Sequence, residues 1–312
     1  MTDRVDQLLE DILEGPSALE SLFAAYDAPD SPLGPLLPVR QAASHIAFTG
    51  LGSSRYAASI GASNLRATGR SAWVEYASNG APTAPAGDLV LVAVSASGRT
   101  TEVIASARRH RGRSVVVAVT NDPGSELASV ADHVLPLHAG REAAGIATRT
   151  FRATVAVLAM LAGQTPAFLA STVGELTKSI EGRQRWLPDM ADAIDGASAI
   201  DVLADAEILG LAEQAALMLR EAPRLPATAY DTGDWLHTAV YLALPGHRAL
   251  LLPGAAADAE VIATIERRGG LVIPMPGSAA ADPDPFRRTI VESVTAELLA
   301  AELWRRTSAE ER

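Results

Sequence analysis

Residues 89–103 read LVLVAVSASGRTTEV: six apolar residues, then Ser-Ala-Ser-Gly-Arg-Thr-Thr, then a stretch with helical spacing. A short apolar run rich in valine is the pattern of a strand covered on both faces, as in a parallel sheet. The chain therefore sets hydroxyls, a glycine and an arginine where a buried strand ends and a helix begins. In an open parallel sheet that is where ligands bind, because the following helices present free N–H groups there.

The same plan extends outward from this stretch. Upstream, HIAFTGLGSS is a strand closed by a Gly/Ser turn, SRYAASIGASNLRAT is a helix and SAWVEYAS a short strand. Downstream come the helix TTEVIASARRHRG, the strand SVVVAVTN, a turn at DPGSEL and the strand HVLPLHAG. Strands alternating with helices predict βαβ units and a parallel sheet. A second segment, about 195–280, is read alike: AEILGLAEQ as strand and turn, AALMLREAPRL as helix, HRALLLPG as strand, DAEVIATIERRGG as helix and LVIPMPG as strand. A helical stretch over 166–192 separates the two, and the spacing at both ends of the chain suits flanking helices.

Composition narrows the function classes. The 312 residues are 48% hydrophobic, enough for a sizeable core, and contain no cysteine, which excludes disulfides, thiolate metal sites and a cysteine nucleophile. The six histidines show no metal-ligand spacing, so no metal and no cofactor is expected. With 37 acidic against 26 basic residues the net charge is −11, so neither nucleic acid nor an anionic membrane is an expected partner. No apolar run approaches the roughly 20 residues of a membrane span, and the first residues do not resemble a signal peptide; a soluble cytoplasmic protein is expected. An anionic ligand must then be held by local dipoles.

Two loops are built for that. TGLGSSR (49–55) offers Gly50 and Gly52 for close backbone approach, with Ser53 and Ser54 at a helix start. SASGRTT (95–101) sets Ser95, Ser97, Thr100 and Thr101 around Gly98. Hydroxyls together with helix N-terminal amides form a phosphate cradle without a lysine. The plainer reading of each loop is a helix N-cap; two such loops in adjacent βα units favour the cradle. Neither loop matches a dinucleotide or nucleoside-triphosphate motif.

EDILEGPSALESLF, GLGSSRYAA, SASGRTTEV, TNDPGSELASVADHVLPLHAGREAAGIATRTF and REAPRLPATAYDTGDWLH together resemble the sugar isomerase (SIS) family. The likeness is to the two-domain isomerase half of glucosamine-6-phosphate synthase and its deaminase and deglycase relatives. The resemblance implies an α/β fold of two similar three-layer α/β/α sandwiches with parallel sheets, flanked by N- and C-terminal helices. The boundaries are a helical segment at 1–39, a first SIS domain at 40–165, a helical linker at 166–194 and a second SIS domain with the C-terminal helix at 195–312. It implies phosphate on the hydroxyls of Ser54, Ser95, Ser97 and Thr100, within a phosphate- and sugar-binding set that also holds Gly52, Ser53, Gly98, Arg99, Ile146, Ala147 and Thr148. It implies that Glu221 moves a proton between C1 and C2 of the open-chain sugar, and that His237, sixteen residues on, helps open the ring. It also implies a homodimer with sites near the subunit interface.

The chain departs from that pattern. Ala96 stands for a glutamine and Arg99 for an acidic residue; Met218 and Leu236 stand for the synthase's lysines, and the lysine-bearing C-terminal tail is absent from LWRRTSAEER. Glutamine-dependent synthesis is not expected. The expected activity is aldose–ketose isomerisation or deamination of an amino-sugar 6-phosphate. The alternatives are a non-catalytic sugar-phosphate sensor, or an enzyme for an acid-bearing sugar whose carboxylate Arg99 grips.

Overall fold

The computed structural model describes residues 2–276 and 282–310. They divide into two compact units. One comprises residues 15–141 and 149–173; the other comprises 1–14, 142–148 and the chain from 174 onward.

In the first unit, β1 (His45–Gly50), β2 (Ser71–Tyr76), β3 (Leu89–Val94), β4 (Val115–Thr120) and β5 (His133–Pro136) pair in the order β2-β1-β3-β4-β5. Every pairing is parallel. The register explains why β3 is apolar at every position. Phe48, Val92 and Val117 share one face, and Ala47, Leu91 and Val116 share the other. On the first face Ile46, Val90, Val92 and Val117 line a small apolar cavity with Leu36, Val39 and Leu161. On the other, Ala93, Val116 and Ala118 cluster with Val103, Ile104 and Ala107 of the helix Thr101–His110, and with Leu127 and Val130. With both faces buried, alternation disappears from the strand sequences.

In the second unit, β6 (Ala199–Ala204), β7 (Ala227–Asp231), β8 (His247–Leu251) and β9 (Leu271–Pro274) pair in parallel in the order β7-β6-β8-β9. Here the sequence reading needs correction. AEILGLAEQ is not a strand: residues 206–208 form a 3-10 turn that runs into the helix Leu209–Glu221. The strand lies one step earlier, at AIDVLA, where Asp201 breaks the apolar run. That carboxylate is buried and accepts hydrogen bonds from Trp235 Nε1 (2.7 Å) and His247 Nε2 (2.8 Å), so the polar residue belongs to the core. The edge strand β7, ATAYD, was not anticipated, being half-exposed and polar at every second position.

The stretch 166–192 is helical in pieces: Pro166–Leu169, Ser171–Glu181, a 3-10 turn Gly182–Arg185, and Leu187–Ile194. Gly182 and Pro188 mark the interruptions, as weak or forbidden positions of a helix interior. The last residue of LVIPMPG, Gly277, lies outside the described residues. Among the described residues no helix is long and apolar enough to cross a membrane.

Candidate functional site

Strands β1 and β3 are neighbours, yet the chain leaves β1 toward β2 on one side and β3 toward β4 on the other. Their exit loops diverge at this switch point, the position where open α/β sheets bind ligands. After β1, Gly52 has φ +52°, a conformation that opens the turn into the helix Ser53–Ala67. No side chain caps that helix, and Ser53 and Ser54 stand half-buried in its first turn.

After β3, Ser95 is buried and its Oγ lies 2.9 Å from Thr100 Oγ1. Thr100 occupies the N-cap position of Thr101–His110 but makes no side-chain cap bond. Ser97 is exposed, and its Oγ accepts the Arg99 N–H at 3.2 Å. Gly98 has φ +62°, and a Cβ there would collide with Ser125 Oγ and Cβ. The two hydroxyl loops thus sit at helix starts that no side chain caps.

The β4 exit supports this loop, and the sequence reading did not single out its residues. Thr120 Oγ1 donates to Ala96 O (3.2 Å), Asn121 N donates to the same carbonyl (2.9 Å), and Leu127 N donates to Gly98 O (3.0 Å). The Asn121 side chain accepts from Ala139 N (3.0 Å) and donates to Gly140 O, joining the SASGRT loop to the segment after β5. The signal was present in TNDPGS, quoted for resemblance without roles for its members. Arg99 points outward: its side chain is 77% exposed and pairs with Asp122 at 3.4 Å.

The remaining site residues belong to the second unit. Glu221 ends the helix Leu209–Glu221, half-buried, with its carboxyl raised above the ordinary carboxylate range. Burial is the main cause, and the negative charge of Glu142 adds to it, while Arg220 and Arg224 oppose it. Arg220 Nη1 is held on Ala227 O at 2.6 Å, and Arg224 sits at φ +62° in the turn that follows.

Segment 142–148, which carries Ile146, Ala147 and Thr148, clusters with this unit. Thr148 donates to Glu142 Oε1 from N (2.6 Å) and Oγ1 (3.1 Å), and Ala147 O accepts from Gln214 Nε2 (3.0 Å). Ile146 is buried. The Gln214–Ala147 bond ties this segment to the helix that ends in Glu221, and Glu142 is one of the charges that act on Glu221; the sequence reading named neither Gln214 nor Glu142. His237 is exposed on the turn after Thr232–Trp235, its N–H on Asp234 O at 3.0 Å. It is not among the groups that shift Glu221.

At the exits of β6, β7 and β8 carboxylates accept backbone N–H groups. Asp205 accepts from Glu207 N (3.0 Å), Asp231 from Asp234 N (2.8 Å), and Asp258 from Gly254 N (2.7 Å) and Ala255 N (3.1 Å). Among the described residues no group of three or more His, Asp or Glu is arranged to hold a metal.

Residues 40–163 match the SIS domain family. The glutamine–fructose-6-phosphate aminotransferase (isomerizing) of Aeropyrum pernix is 35% identical over 178 residues, which are 52% of this chain and 29% of that protein. The chain thus aligns with under a third of that relative's length. The C-terminal domain of glucosamine-fructose-6-phosphate aminotransferase from Francisella tularensis superposes with a TM-score of 0.83 at 18% identity, covering 96% of each chain. The tagatose-6-phosphate ketose/aldose isomerase of Escherichia coli superposes with a TM-score of 0.81 at 16% identity, over 96% of this chain and 93% of that one. At these identities the structural matches speak to fold alone.

Proposed function

We propose that this chain, which carries an SIS domain over residues 40–163, processes a phosphorylated sugar by moving a proton between C1 and C2 of its open-chain form. The observation that carries the reading is the pair of uncapped, hydroxyl-rich exits at the β1/β3 switch point. A phosphate there takes hydrogen bonds from Ser54, Ser95, Ser97 and Thr100 and from the N–H groups of the two helix starts. The second sheet, whose order β7-β6-β8-β9 repeats β2-β1-β3-β4, is read as a second SIS half.

Glu221 is the proton-moving group. Abstraction α to a carbonyl is served best by a base whose pKa lies near the working pH, and an upward shift moves a carboxylate that way. Taking the C2 proton of an aldose leaves an enediolate, and returning it to C1 completes the ketose. With an amine at C2 the same shuttle gives an enolamine, protonation at C1 turns it into a C2 iminium, and water hydrolyses that iminium to the ketose and ammonia. His237 is assigned to ring opening. The names of the relatives, an isomerising aminotransferase and a ketose/aldose isomerase, support this class. The reading includes a homodimer acting in the cytoplasm without cofactor, nucleic acid or membrane.

The test is a thermal-shift screen of ketose, aldose and amino-sugar 6-phosphates, followed by isomerisation and ammonia-release assays on each stabiliser. Turnover that is lost in Ser95→Ala and in Glu221→Gln is expected. Stabilisation without turnover would assign the chain to sensing, and no stabilisation by any phosphosugar would overturn the reading.

A further inference from the structure

The segment 142–148 is held at both ends by residues outside the expected site. Asp11, on the helix Thr2–Leu13, is buried, and its two oxygens accept from Ala143 N (3.1 Å) and Ala144 N (3.0 Å). From the same helix Arg4 donates to Ala144 O at 2.9 Å. At the other end Gln214 donates to Ala147 O. Gln214 is itself buried, with Oε1 lacking any partner, so burial of this amide is tolerated for the single bond it makes to the loop. It lies seven residues before Glu221 on the same helix, two turns along one face.

We infer that Asp11 and Gln214 are positioning residues, two clamps that fix segment 142–148, and Glu142 with it, against the helix that ends in Glu221. This rests on Glu221 being the proton-moving group. A carboxylate that accepts two backbone N–H bonds forms a stiff, charge-assisted joint, and its loss frees both amides together. The charged groups that act on Glu221 are Arg220, Arg224 and Glu142. Asp11 is not one of them. Gln214→Met removes no charge, so a shift of Glu221 common to it and to Asp11→Asn travels through the loop, and this distinguishes positioning from direct electrostatics.

The experiment compares wild type, Asp11→Asn and Gln214→Met in the full chain. Amide exchange at Ala143 and Ala144 in Asp11→Asn should quicken by about 10-fold or more, as loss of a charge-assisted hydrogen bond implies. Titration of the Glu221 carboxyl, followed by carbon NMR and assigned by its loss in Glu221→Gln, should fall toward the ordinary carboxylate range in both variants. With fructose 6-phosphate as probe, the acid limb of kcat should move to lower pH, while KM stays within about twofold.

A folded Asp11→Asn with unchanged Glu221 titration overturns the inference. So does loss of the fold in both variants, which would make the clamps plain structural contacts. If the titration shifts in the folded variants but neither fructose 6-phosphate nor glucosamine 6-phosphate is turned over by wild type, the positioning stands and the proposed activity fails.

Discussion

Replacing Gly98 by alanine tests whether the SASGRT loop is shaped by the β4 exit or merely lies beside it. Two effects act at this position. Its φ of +62° suits glycine, and placing a side chain in that region costs on the order of 1–3 kcal/mol. Separately, the new Cβ would lie closer than 3.0 Å to Ser125 Oγ and Cβ, and 3.0 Å from Thr120 Oγ1. Ser125 cannot move away freely: its Oγ caps the helix Glu126–Val130 through Ala128 N at 3.4 Å. Overpacking of this kind adds roughly 1–3 kcal/mol.

Gly98→Ala should therefore destabilise by about 2–6 kcal/mol in total. Ser125→Gly alone should cost only a few tenths, about what a Gly-for-Ser exchange at an N-cap costs. The double variant removes the collision with Ser125 and keeps the backbone strain and the Thr120 contact, so it should be more stable than Gly98→Ala by about 1–3 kcal/mol. Urea unfolding of the four proteins measures the cycle. If Ser125→Gly fails to relieve Gly98→Ala, the packing of the two loops is wrong as described, and with it the account of why glycine stands in the cradle.

Other outcomes follow from single side chains. Glu221→Gln should reduce turnover by roughly 10²–10⁴-fold in the isomerisation or ammonia-release assay. Because its carboxyl is raised chiefly by burial, the stability this group contributes is complete below the ordinary carboxylate range and is lost as pH rises through the folded value. Glu221→Gln should hence be more stable than wild type at neutral pH, with the difference vanishing near about pH 3 in thermal melts. Asp201→Ala should cost more than about 3 kcal/mol, since it leaves the buried Trp235 and His247 ring nitrogens without their shared acceptor; a loss under 1 kcal/mol in urea would refute that core network. Arg99→Ala should change stability by less than about 1 kcal/mol and weaken acid-bearing and neutral hexose phosphates alike, because the guanidinium is outward and paired with Asp122. Selective loss of the acid-bearing ligand in calorimetry would contradict this.

The first sheet was legible because each of its strands is a local apolar run ended by Gly, Ser or Asn, and a buried parallel strand needs nothing more from the sequence. β6 was misplaced for a physical reason. Asp201 reads as a break, yet its partners lie 34 and 46 residues away, and no local pattern reveals that a carboxylate will find two hydrogen-bond donors inside a core. The hydroxyl loops were legible as motifs, but their support by Thr120, Asn121 and Ser125 depends on β3 and β4 being neighbours. The grouping of segment 142–148 with the second unit was hidden for the same reason. It depends on Asp11, more than 130 residues upstream, and on Gln214, 67 residues from Ala147.

The contrast between the two sheets limits where an anion can bind. Both have a switch point, β1/β3 in one and β6/β8 in the other, and both follow their strands with helices. A carboxylate that accepts the first N–H groups after a strand occupies the donors an incoming phosphate would use, and it adds a like charge beside them. Asp205 and Asp258 do this at the exits of β6 and β8. The exits of β1 and β3 carry the hydroxyls of Ser53, Ser54 and Thr100, and no side chain caps the helices that follow. In a chain of net charge −11, attraction for a phosphate cannot come from the surface as a whole. It must come from local donors, and the hydroxyl-bearing exits of β1 and β3 are where the phosphate site proposed above would find them.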